Sequence, residues 1–337
     1  MVFKKMSKPQ RLLSWVLAFL AVMVSAEVTS AEVNYGGHPN AKAFVDRMVA
    51  EHDFERSYVQ KLMQNAEKKQ SILDAIARPA EKTKTWGEYR RIFITDKRIN
   101  RGIAFMEEHK ATLERAERDF GVPTEIIAAI IGVETFYGRH KGGYRVLDAL
   151  ATLGFDYSPR GKFFTKQLEE YLLLVREQKF DALEVKGSYA GAMGFGQFIP
   201  SSYRHYAIDF DGDGVADIVN NPVDAIGSVA NYFKSHGWRQ GEQVTVMAQV
   251  ADNRDQSLEN KSLKPDSTVA ELIKAGFTPS VEINTDQPAT AIYLLGDSGD
   301  EYWLGLQNFY VITRYNHSRL YAMAVYQLSE ALKAHKS

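Results

Sequence analysis

The stretch GVPTEIIAAIIGVETFYG, residues 121–138, combines the apolar pattern of a buried helix with a single carboxylate near its end, Glu134. Three isoleucines stand three, four and seven residues before that acid: Ile131, Ile130 and Ile127. With about 3.6 residues per turn, all three share the face of Glu134, so the acid points toward the apolar side of the helix. We predict that Pro123 lies in the first turn of this helix and that Gly138 ends it.

A carboxyl group on an apolar face loses hydration, which penalises its charged form and raises its pKa. A raised pKa would bring Glu134 into the range of a general acid that works near neutral pH. The alternative is a structural acid that caps a neighbouring helix or pairs with Arg139. A lone glutamate beside an apolar run is common, so this feature alone favours the structural role.

The composition is that of a globular protein with enough apolar residues for a sizeable core. The chain has 337 residues, of which 45% are hydrophobic and 25% are charged. This length predicts two domains, or three small ones. The formal net charge is -1, which gives no indication of a nucleic-acid partner.

Residues 1–31 have the pattern of a secretory signal peptide. The basic segment MVFKKMSKPQR precedes the apolar segment LLSWVLAFLAVMVSA, and Ala26 and Ala31 are candidate cleavage positions. The apolar segment is short for a membrane span, so cleavage is favoured over a retained anchor. Either outcome predicts an exported, periplasmic protein. The chain has no cysteine, so we expect neither a lipid anchor on a thiol nor a thiol nucleophile.

Hydrophobic periodicity predicts a mainly α fold, of α+β character, with a small β-containing insert. Four segments follow the signal peptide: a helical domain over residues 32–118, a core over 119–238, a β-containing domain over 239–305 and C-terminal helices over 306–337. One long helix is predicted from Thr95 to Phe120. Amphipathic helices are also predicted for residues 161–178 and 222–236.

The segment GSYAGAMGFGQFIPSSY, residues 187–203, places four glycines among aromatic, hydroxyl and amide side chains. Glycine lets the backbone approach a ligand closely, and aromatic and amide groups stack on sugars and hydrogen-bond to them. By composition alone, an ordinary glycine-rich turn is the more common interpretation. The segment gains weight only in combination with the acid-bearing helix.

Six blocks, in this order, resemble the lytic transglycosylases of the membrane-bound type B, which have a lysozyme-like core. The blocks are GVPTEIIAAIIGVETFYGR, LDALATLGFDY, SYAGAMGFGQFIPSSY, DFDGDGVADI, PVDAIGSVANYFKSHGW and YNHS..YAMAV. The resemblance covers roughly residues 36–335, and six ordered blocks are more specific than any single motif. It implies that residues 119–238 form a lysozyme-like catalytic core, which residues 306–337 complete.

The resemblance implies that Glu134 is the catalytic acid and base of a peptidoglycan lytic transglycosylase. It also implies a sugar cleft with these substrate-binding residues: Tyr89, Ser188, Met193, Gln197, Tyr232, Tyr315, Asn316 and Tyr321. Ordinary half-buried packing is the alternative for the tyrosines. Family members commonly have FDYPRR where this chain has FDYSPRG, so Arg160 keeps one arginine of the substrate site. Pro159 stands where the second would be, which removes that arginine's contribution to binding the peptide stems.

Most glycosidases use two carboxylates, but neither the glycine-rich segment nor the neighbours of Glu134 supply a second one. The resemblance gives the nearest acids, Asp148 and Asp156, no catalytic role. In N-acetylmuramic acid (MurNAc) the C6 hydroxyl can attack C1 of its own ring, with the large effective molarity of a positioned group. Cleavage of the bond to N-acetylglucosamine (GlcNAc) would then give a 1,6-anhydromuramoyl end without water. No cofactor is expected for catalysis.

The segment DFDGDGVAD, residues 209–217, has the spacing of a calcium loop. Positions 1, 3, 5, 7 and 9 are the expected ligands: Asp209, Asp211, Asp213, the carbonyl of Val215, and Asp217. A solvated acidic turn is the less favoured alternative. Asn220 replaces the usual bidentate glutamate at position 12, so affinity is modest or Asp224 completes the shell. We expect structural Ca2+, with Na+ as the alternative ion, and the resemblance also implies a metal loop here.

Glycan strands of peptidoglycan are the expected partner, other cell-wall enzymes are candidates, and the protein is expected to be a monomer. Three alternative functions stay open. A hydrolytic muramidase on the same fold would use water and give a reducing end. A non-catalytic peptidoglycan-binding protein would gain nothing from a desolvated acid. A calcium-dependent binding module would explain the acidic loop alone.

Overall fold

The computed structural model describes residues 34–77 and 84–335. Within these two ranges the protein is mostly helical, with fourteen α-helices and seven short β-strands. None of those helices combines the length and the apolar character that crossing a bilayer requires. The predicted signal peptide, residues 1–31, lies outside the described residues.

The helices are distributed on both sides of the acid-bearing helix, α7 (Thr124–Thr135). Six precede it: α1 (Pro39–His52), α2 (Arg56–Asn65), α3 (Gln70–Ile76), α4 (Trp86–Phe93), α5 (Asp96–Glu108) and α6 (Lys110–Phe120). Seven follow it: α8 (Val146–Asp156), α9 (Gly161–Gln178), α10 (Pro200–Tyr206), α11 (Pro222–Ser235), α12 (Val269–Lys274), α13 (Gln307–Tyr315) and α14 (Arg319–Lys333). The predicted helices over residues 161–178 and 222–236 correspond to α9 and α11.

The strands form two sheets. A small antiparallel pair joins β1 (Tyr144–Arg145) to β2 (Lys186–Gly187). The other five strands are β3 (Thr245–Val250), β4 (Ser267–Thr268), β5 (Phe277–Pro279), β6 (Pro288–Gly296) and β7 (Gly299–Gly305). They form one antiparallel sheet in the order β4-β6-β7-β3-β5, and α12 packs on it. The predicted mainly α fold with a β-containing insert is confirmed.

Two hydrophobic cores organise the helices. The first core joins α1, α2 and α3 to α8, α9 and α10, and includes Phe44, Ile72 and Leu168. The second core joins α4, α5, α6 and α7 to α11, α13 and α14, and includes Phe105 and Met323. Helices of the predicted segment 32–118 therefore contribute to both cores. The division of the chain into these four segments as separate domains stays a prediction.

Helix α7 lies in the second core, and ten of its twelve residues are buried. It begins at Thr124, with Pro123 as its N-cap, and it ends at Thr135 rather than at the predicted Gly138. The reason is that Phe136 and Tyr137 both take left-handed backbone conformations, with φ of 52° and 59°. The ring of Tyr137 then folds back onto Gly132. A Cβ atom added to Gly132 would lie 2.6 Å from the Cζ atom of Tyr137, so only glycine fits there.

The predicted single helix from Thr95 to Phe120 is wrong in one respect, because His109 interrupts it between α5 and α6. At His109 φ is -112° and ψ is 23°, outside the helical range. Its ring packs against Phe105, with 4.5 Å between the ring centroids. Neither glycine nor proline marks the break, so the packing of the two helices sets its position.

One carboxylate attaches the five-stranded sheet to α4. Glu301 on β7 accepts a hydrogen bond from the indole nitrogen of Trp86 at 3.2 Å, and another from that of Trp303, also at 3.2 Å. Trp86 is 1% exposed, so this bond lies in the second core. The β-containing insert is thereby fixed beside the start of α4.

Candidate active site

Glu134 lies in the last turn of α7 and is half-buried. The hydroxyl of Tyr321, on α14, donates a hydrogen bond of 2.5 Å to Glu134 Oε1. Tyr321 is itself positioned by a helix cap, because its backbone N–H donates to the side chain of Ser318. The acid is therefore held where two helices of the second core meet.

Two tyrosines surround the acid with protonated hydroxyl groups. Burial raises the pKa of Tyr321 well above its usual value, and the negative charge of Glu134 raises it further. The pKa of Tyr315 is raised in the same way, by burial first and then by Glu134. Both phenols thus remain hydrogen-bond donors throughout the neutral range.

Tyr315 joins the acid to the glycine-rich segment, since its hydroxyl donates a 2.6 Å hydrogen bond to the carbonyl oxygen of Gly196. A second link comes from α7, where Thr135 Oγ1 donates to the carbonyl oxygen of Phe195 at 2.9 Å. Phe195 and Tyr315 each pack against both hydrophobic cores. The structure therefore brings Glu134 and the glycine-rich segment together, as the sequence predicts, at the boundary between the two cores.

Inside the glycine-rich segment, the predicted site residues make local contacts. Ser188 Oγ accepts hydrogen bonds from the backbone N–H groups of Ala190 and Ala192. Met193 is 1% exposed, and its backbone pairs with that of Phe198. Gln197 has a left-handed backbone, with φ of 51°, and its side-chain amide donates to Gly194 and Lys141 carbonyl groups. These contacts fix the shape of the segment.

Tyr232 and Tyr89 support the site from within the cores. Tyr232 donates a 2.6 Å hydrogen bond to the carbonyl oxygen of Arg314, and its ring lies edge-on to Tyr315 at 4.8 Å. Burial raises the pKa of Tyr232. Tyr89 is 2% exposed, and its ring lies 5.0 Å from that of Phe93. Tyr232 therefore positions the chain segment that carries Tyr315, and the substrate-binding role of Tyr89 stays a prediction.

A cleft of about 880 Å³ is lined in part by Ser318, Arg319 and Leu320, at the start of the helix that carries Tyr321. Its lining includes the predicted residues Arg160 and Asn316, and Asn316 directly follows Tyr315 in sequence. Arg160 ends the short 3-10 turn that contains Pro159, and its guanidinium lies 4.2 Å from the centre of the Phe163 ring. The lining of the cleft includes Leu320, the residue before Tyr321. Tyr321 in turn donates its hydrogen bond to Glu134.

Sequence reasoning missed the opposite wall of this cleft. Trp86, Asn260 and Tyr293 contribute to it from α4 and from the β-containing insert. No motif distinguishes Asn260 or Tyr293, because only the tertiary fold brings the insert against the core. Arg319 also lines the cleft, and it occupies one of two positions that the block YNHS..YAMAV leaves undefined.

The acidic loop has three converging carboxylates. Ligand oxygens of Asp209, Asp211 and Asp213 all lie within 4.8 Å of one another. Asp209 accepts hydrogen bonds from three backbone N–H groups, of which that of Gly214 contributes most to lowering its pKa. Asp217 is bonded to the backbone N–H groups of Val219 and Asn220. Oxygen ligands of this kind fit a hard cation such as Ca2+.

Asp224 lies beneath the loop and is fully buried. Its carboxylate accepts hydrogen bonds from the backbone N–H groups of Phe210 and Asp217, at 2.7 and 2.8 Å. Burial raises its pKa, although these two bonds act in the opposite direction. Asp224 therefore anchors both ends of the loop to α11 instead of converging with the three exposed carboxylates.

The acidic loop and the glycine-rich segment are directly bonded to each other. The backbone N–H of Phe195 donates to the carbonyl oxygen of Ile218 at 3.1 Å. Lys141 Nζ donates to the carbonyl oxygen of Val219 at 2.7 Å. Gly194, with φ of 74°, packs against the carbonyl of Ile218. A chain of bonded segments thus leads from the acidic loop through Phe195 to Thr135, next to the acid.

The site thus combines a half-buried acid on α7 with a cleft that Trp86, Tyr189 and Tyr293 line. The family described as Transglycosylase SLT domain matches residues 36–330, so the chain belongs to this transglycosylase family. The fold class, the family and the enzyme class predicted from the sequence, a peptidoglycan lytic transglycosylase, are thereby confirmed.

Three relatives show the extent of the similarity. Membrane-bound lytic murein transglycosylase B of Escherichia coli is 45% identical over 308 residues, which are 89% of this chain and 84% of that protein. Lytic transglycosylase SltB1 of Pseudomonas aeruginosa is 52% identical, with a TM-score of 0.87 over 90% of this chain and all of that one. Lytic transglycosylase Slt35 of Escherichia coli, in complex with calcium, is 43% identical, with a TM-score of 0.82 over 93% of this chain and 99% of that one.

The contact between Gly194 and Ile218 can be tested by adding one methyl group. Gly194→Ala places a Cβ atom against a backbone carbonyl, whereas Gly212→Ala meets nothing within 4 Å, and both glycines have positive φ. The control should lose about 1 kcal/mol of unfolding free energy through backbone strain, and Gly194→Ala a further 1–3 kcal/mol or so through overpacking. Urea unfolding with a chelator present measures both, and equal losses would contradict the close contact.

Proposed function

We propose that Glu134 is the single acid and base of this transglycosylase, and that its substrate bond is the MurNAc-β-1,4-GlcNAc bond of peptidoglycan. The observation that carries this proposal is the half-buried carboxylate of Glu134, which accepts a hydrogen bond from Tyr321 on the helix whose first residues line the cleft. Glu134 is not itself among the residues that line the cleft, and none of those residues is an aspartate or a glutamate that could serve as a second carboxylate. A mechanism that needs one carboxylate therefore fits this site better than one that needs two.

In the first step, protonated Glu134 donates its proton to the glycosidic oxygen, and the bond between that oxygen and C1 of MurNAc breaks. The leaving GlcNAc takes the proton as its new hydroxyl group. Positive charge develops on the MurNAc ring, where the carbonyl of its own N-acetyl group can stabilise it. Tyr321 donates a hydrogen bond to the carboxylate that forms, so the ionised acid has a partner within the site.

In the second step, ionised Glu134 accepts the proton of the C6 hydroxyl as that oxygen forms a bond to C1. The acid returns to its protonated state, and the product carries a 1,6-anhydro ring. Because nucleophile and electrophile belong to the same sugar, the step has the advantage of an intramolecular reaction. No water is consumed, so the two products together have the mass of the substrate.

A hydrolytic muramidase on the same fold is the second candidate. It would place a water molecule where the C6 hydroxyl approaches, and one of its products would carry a reducing end. A non-catalytic peptidoglycan-binding protein would require no acid at position 134. Product mass separates the transglycosylase from the muramidase, since their products differ by one water.

Glu134→Gln tests the assignment of the acid. The amide has nearly the same shape but cannot donate the proton, so turnover of purified sacculi should fall by at least about 1,000-fold. Mass spectrometry of the released muropeptides measures turnover and shows whether 1,6-anhydro ends form with the unmodified protein. Turnover retained by the amide variant, with an unchanged melting temperature, would refute the role of Glu134.

Tyr321→Phe tests the support that the acid receives. Loss of a hydrogen bond to a charged group costs about 1.5–3 kcal/mol, so we expect kcat to fall by roughly 10- to 100-fold. The matched control is Tyr326→Phe on the same helix, since its partner residues lie outside the site. Equal kcat values for the two variants would show that the bond to Glu134 does not assist turnover.

The acidic loop is proposed to hold a structural Ca2+, or Na+ in its place, through Asp209, Asp211 and Asp213. The carbonyl of Val215 and the carboxylate of Asp217 are the further ligands that the loop spacing predicts. The calcium complex of Slt35 supports the choice of ion. In this proposal the ion braces the turn whose Ile218 carbonyl is bonded to Phe195.

Calcium should therefore raise stability without being required for the fold. At a concentration about 100-fold above its dissociation constant, Ca2+ would add about 2.7 kcal/mol to the free energy of unfolding. Asp211→Asn should abolish most of this increment, whereas Asp252→Asn, which alters an exposed acid outside the loop, should retain it. Thermal unfolding with Ca2+ and with a chelator measures the effect, and an identical response of both variants would refute the site.

We propose that the protein acts in the periplasm on glycan strands of peptidoglycan, as a monomer, with other cell-wall enzymes as candidate partners. The signal-peptide pattern of residues 1–31 supports export. The location of the proposed substrate also supports the periplasm, because peptidoglycan lies outside the cytoplasmic membrane.

A further inference from the structure

The cleft beside the acid has a strong charge bias. Of the fifteen residues that line it, three carry a positive charge at neutral pH, Lys84, Arg160 and Arg319, and none is acidic. A lining with an excess of positive charge attracts anions and raises their local concentration. A neutral sugar chain would not require this bias, so an anionic part of the substrate is the natural ligand.

Arg319 differs from the other two cations of the cleft in being half-buried, whereas Lys84 and Arg160 are exposed. It is the first residue of α14, two positions before Tyr321, and its side chain is half-buried. Its guanidinium donates one described hydrogen bond, from Nη2 to the carbonyl oxygen of Asn260 at 3.1 Å. Among the described residues, no carboxylate forms an ion pair with it. Burial lowers the pKa of Arg319, which is the cost of a sheltered cation without a counterion.

The carbonyl that holds Arg319 belongs to a rigid residue. Asn260 has a left-handed backbone with φ of 57°, and its N–H donates to the carbonyl of Ala291. Its side chain makes two further bonds with the backbone of Tyr293, at 2.9 and 3.1 Å. Asn260 thus fixes the Nη2 side of the Arg319 guanidinium. The other N–H groups of that guanidinium can donate to a ligand.

We infer that Arg319 binds a carboxylate on the lactyl arm of the muramic acid, in the cleft that Arg160 also lines. The carboxylate is either that of the lactyl group itself or that of a peptide attached to it. A guanidinium recognises a carboxylate through paired hydrogen bonds, which a lysine cannot reproduce. Arg319 then supplies a second arginine in a chain that has Pro159 beside Arg160. The inference rests on the proposed function, since it assumes a glycan substrate with muramic acid.

Binding to an inactive parent tests the inference without turnover. Titration calorimetry would compare Glu134→Gln with the same protein carrying Arg319→Met, Arg319→Lys or the control Arg118→Met, which removes an exposed arginine of α6. Four glycans serve as probes. The first carries peptide stems, the second carries stems with amidated carboxylates, the third carries free lactyl carboxylates without stems, and the fourth is a neutral GlcNAc oligomer.

Arg319→Met should weaken binding of a carboxylate-bearing glycan by about tenfold, with Arg319→Lys intermediate and Arg118→Met unchanged. Binding of the amidated glycan and of the neutral oligomer should stay within about twofold of the parent. A loss confined to the first glycan would assign the peptide carboxylate, and a loss for the third would assign the lactyl group.

Two results would overturn the inference. One is no loss for either carboxylate-bearing glycan, and the other is an equal loss for all four, which would show a structural effect. A failure of the proposed function would look different. In that case the Glu134→Gln parent would bind none of the four glycans, and the unmodified protein would release no 1,6-anhydro product.

Discussion

The hydrogen bond from Tyr321 to Glu134 joins α14 to the end of α7, and the geometry of the site depends on it. Helix α7 is buried over nearly its whole length, so packing fixes where its last turn ends. Glu134 is the only ionisable side chain of that turn, and it faces a phenol that burial keeps protonated. In the proposed mechanism this hydrogen bond stabilises the charged form of Glu134.

The remaining parts of the site serve to hold this pair beside the cleft. Tyr315 and Thr135 bond to carbonyl groups of the glycine-rich segment on one side. The backbone N–H of Phe195 donates a hydrogen bond to the carbonyl oxygen of Ile218, at the end of the acidic loop. The residues predicted from the sequence as substrate contacts are therefore mixed in kind. Arg160 and Asn316 line the cleft, whereas Tyr232 and Met193 are buried and position the residues around them.

Local sequence patterns predict the parts of the structure that local forces determine. The periodicity of α9 and α11, the acid on the apolar face of α7, and the spacing of Asp209, Asp211 and Asp213 are of this kind. The end of α7 and the break at His109 are not, because the ring packing of Tyr137 and Phe105 decides them. The wall formed by Asn260 and Tyr293 is also set by tertiary structure, since it exists only once the insert is attached to α4 through Glu301.

Phe195 and Tyr315 pack against both hydrophobic cores of the helices. The residues that link the end of α7 to the glycine-rich segment therefore lie where the two cores meet. Tightly packed interiors transmit small displacements. Residues remote from the cleft, such as Phe44 on α1 and Ile72 on α3, therefore help to set the surroundings of Glu134 through the first core. A fragment reduced to α4–α7 and α13–α14 would contain the acid and its phenol but would lose half of the support behind them.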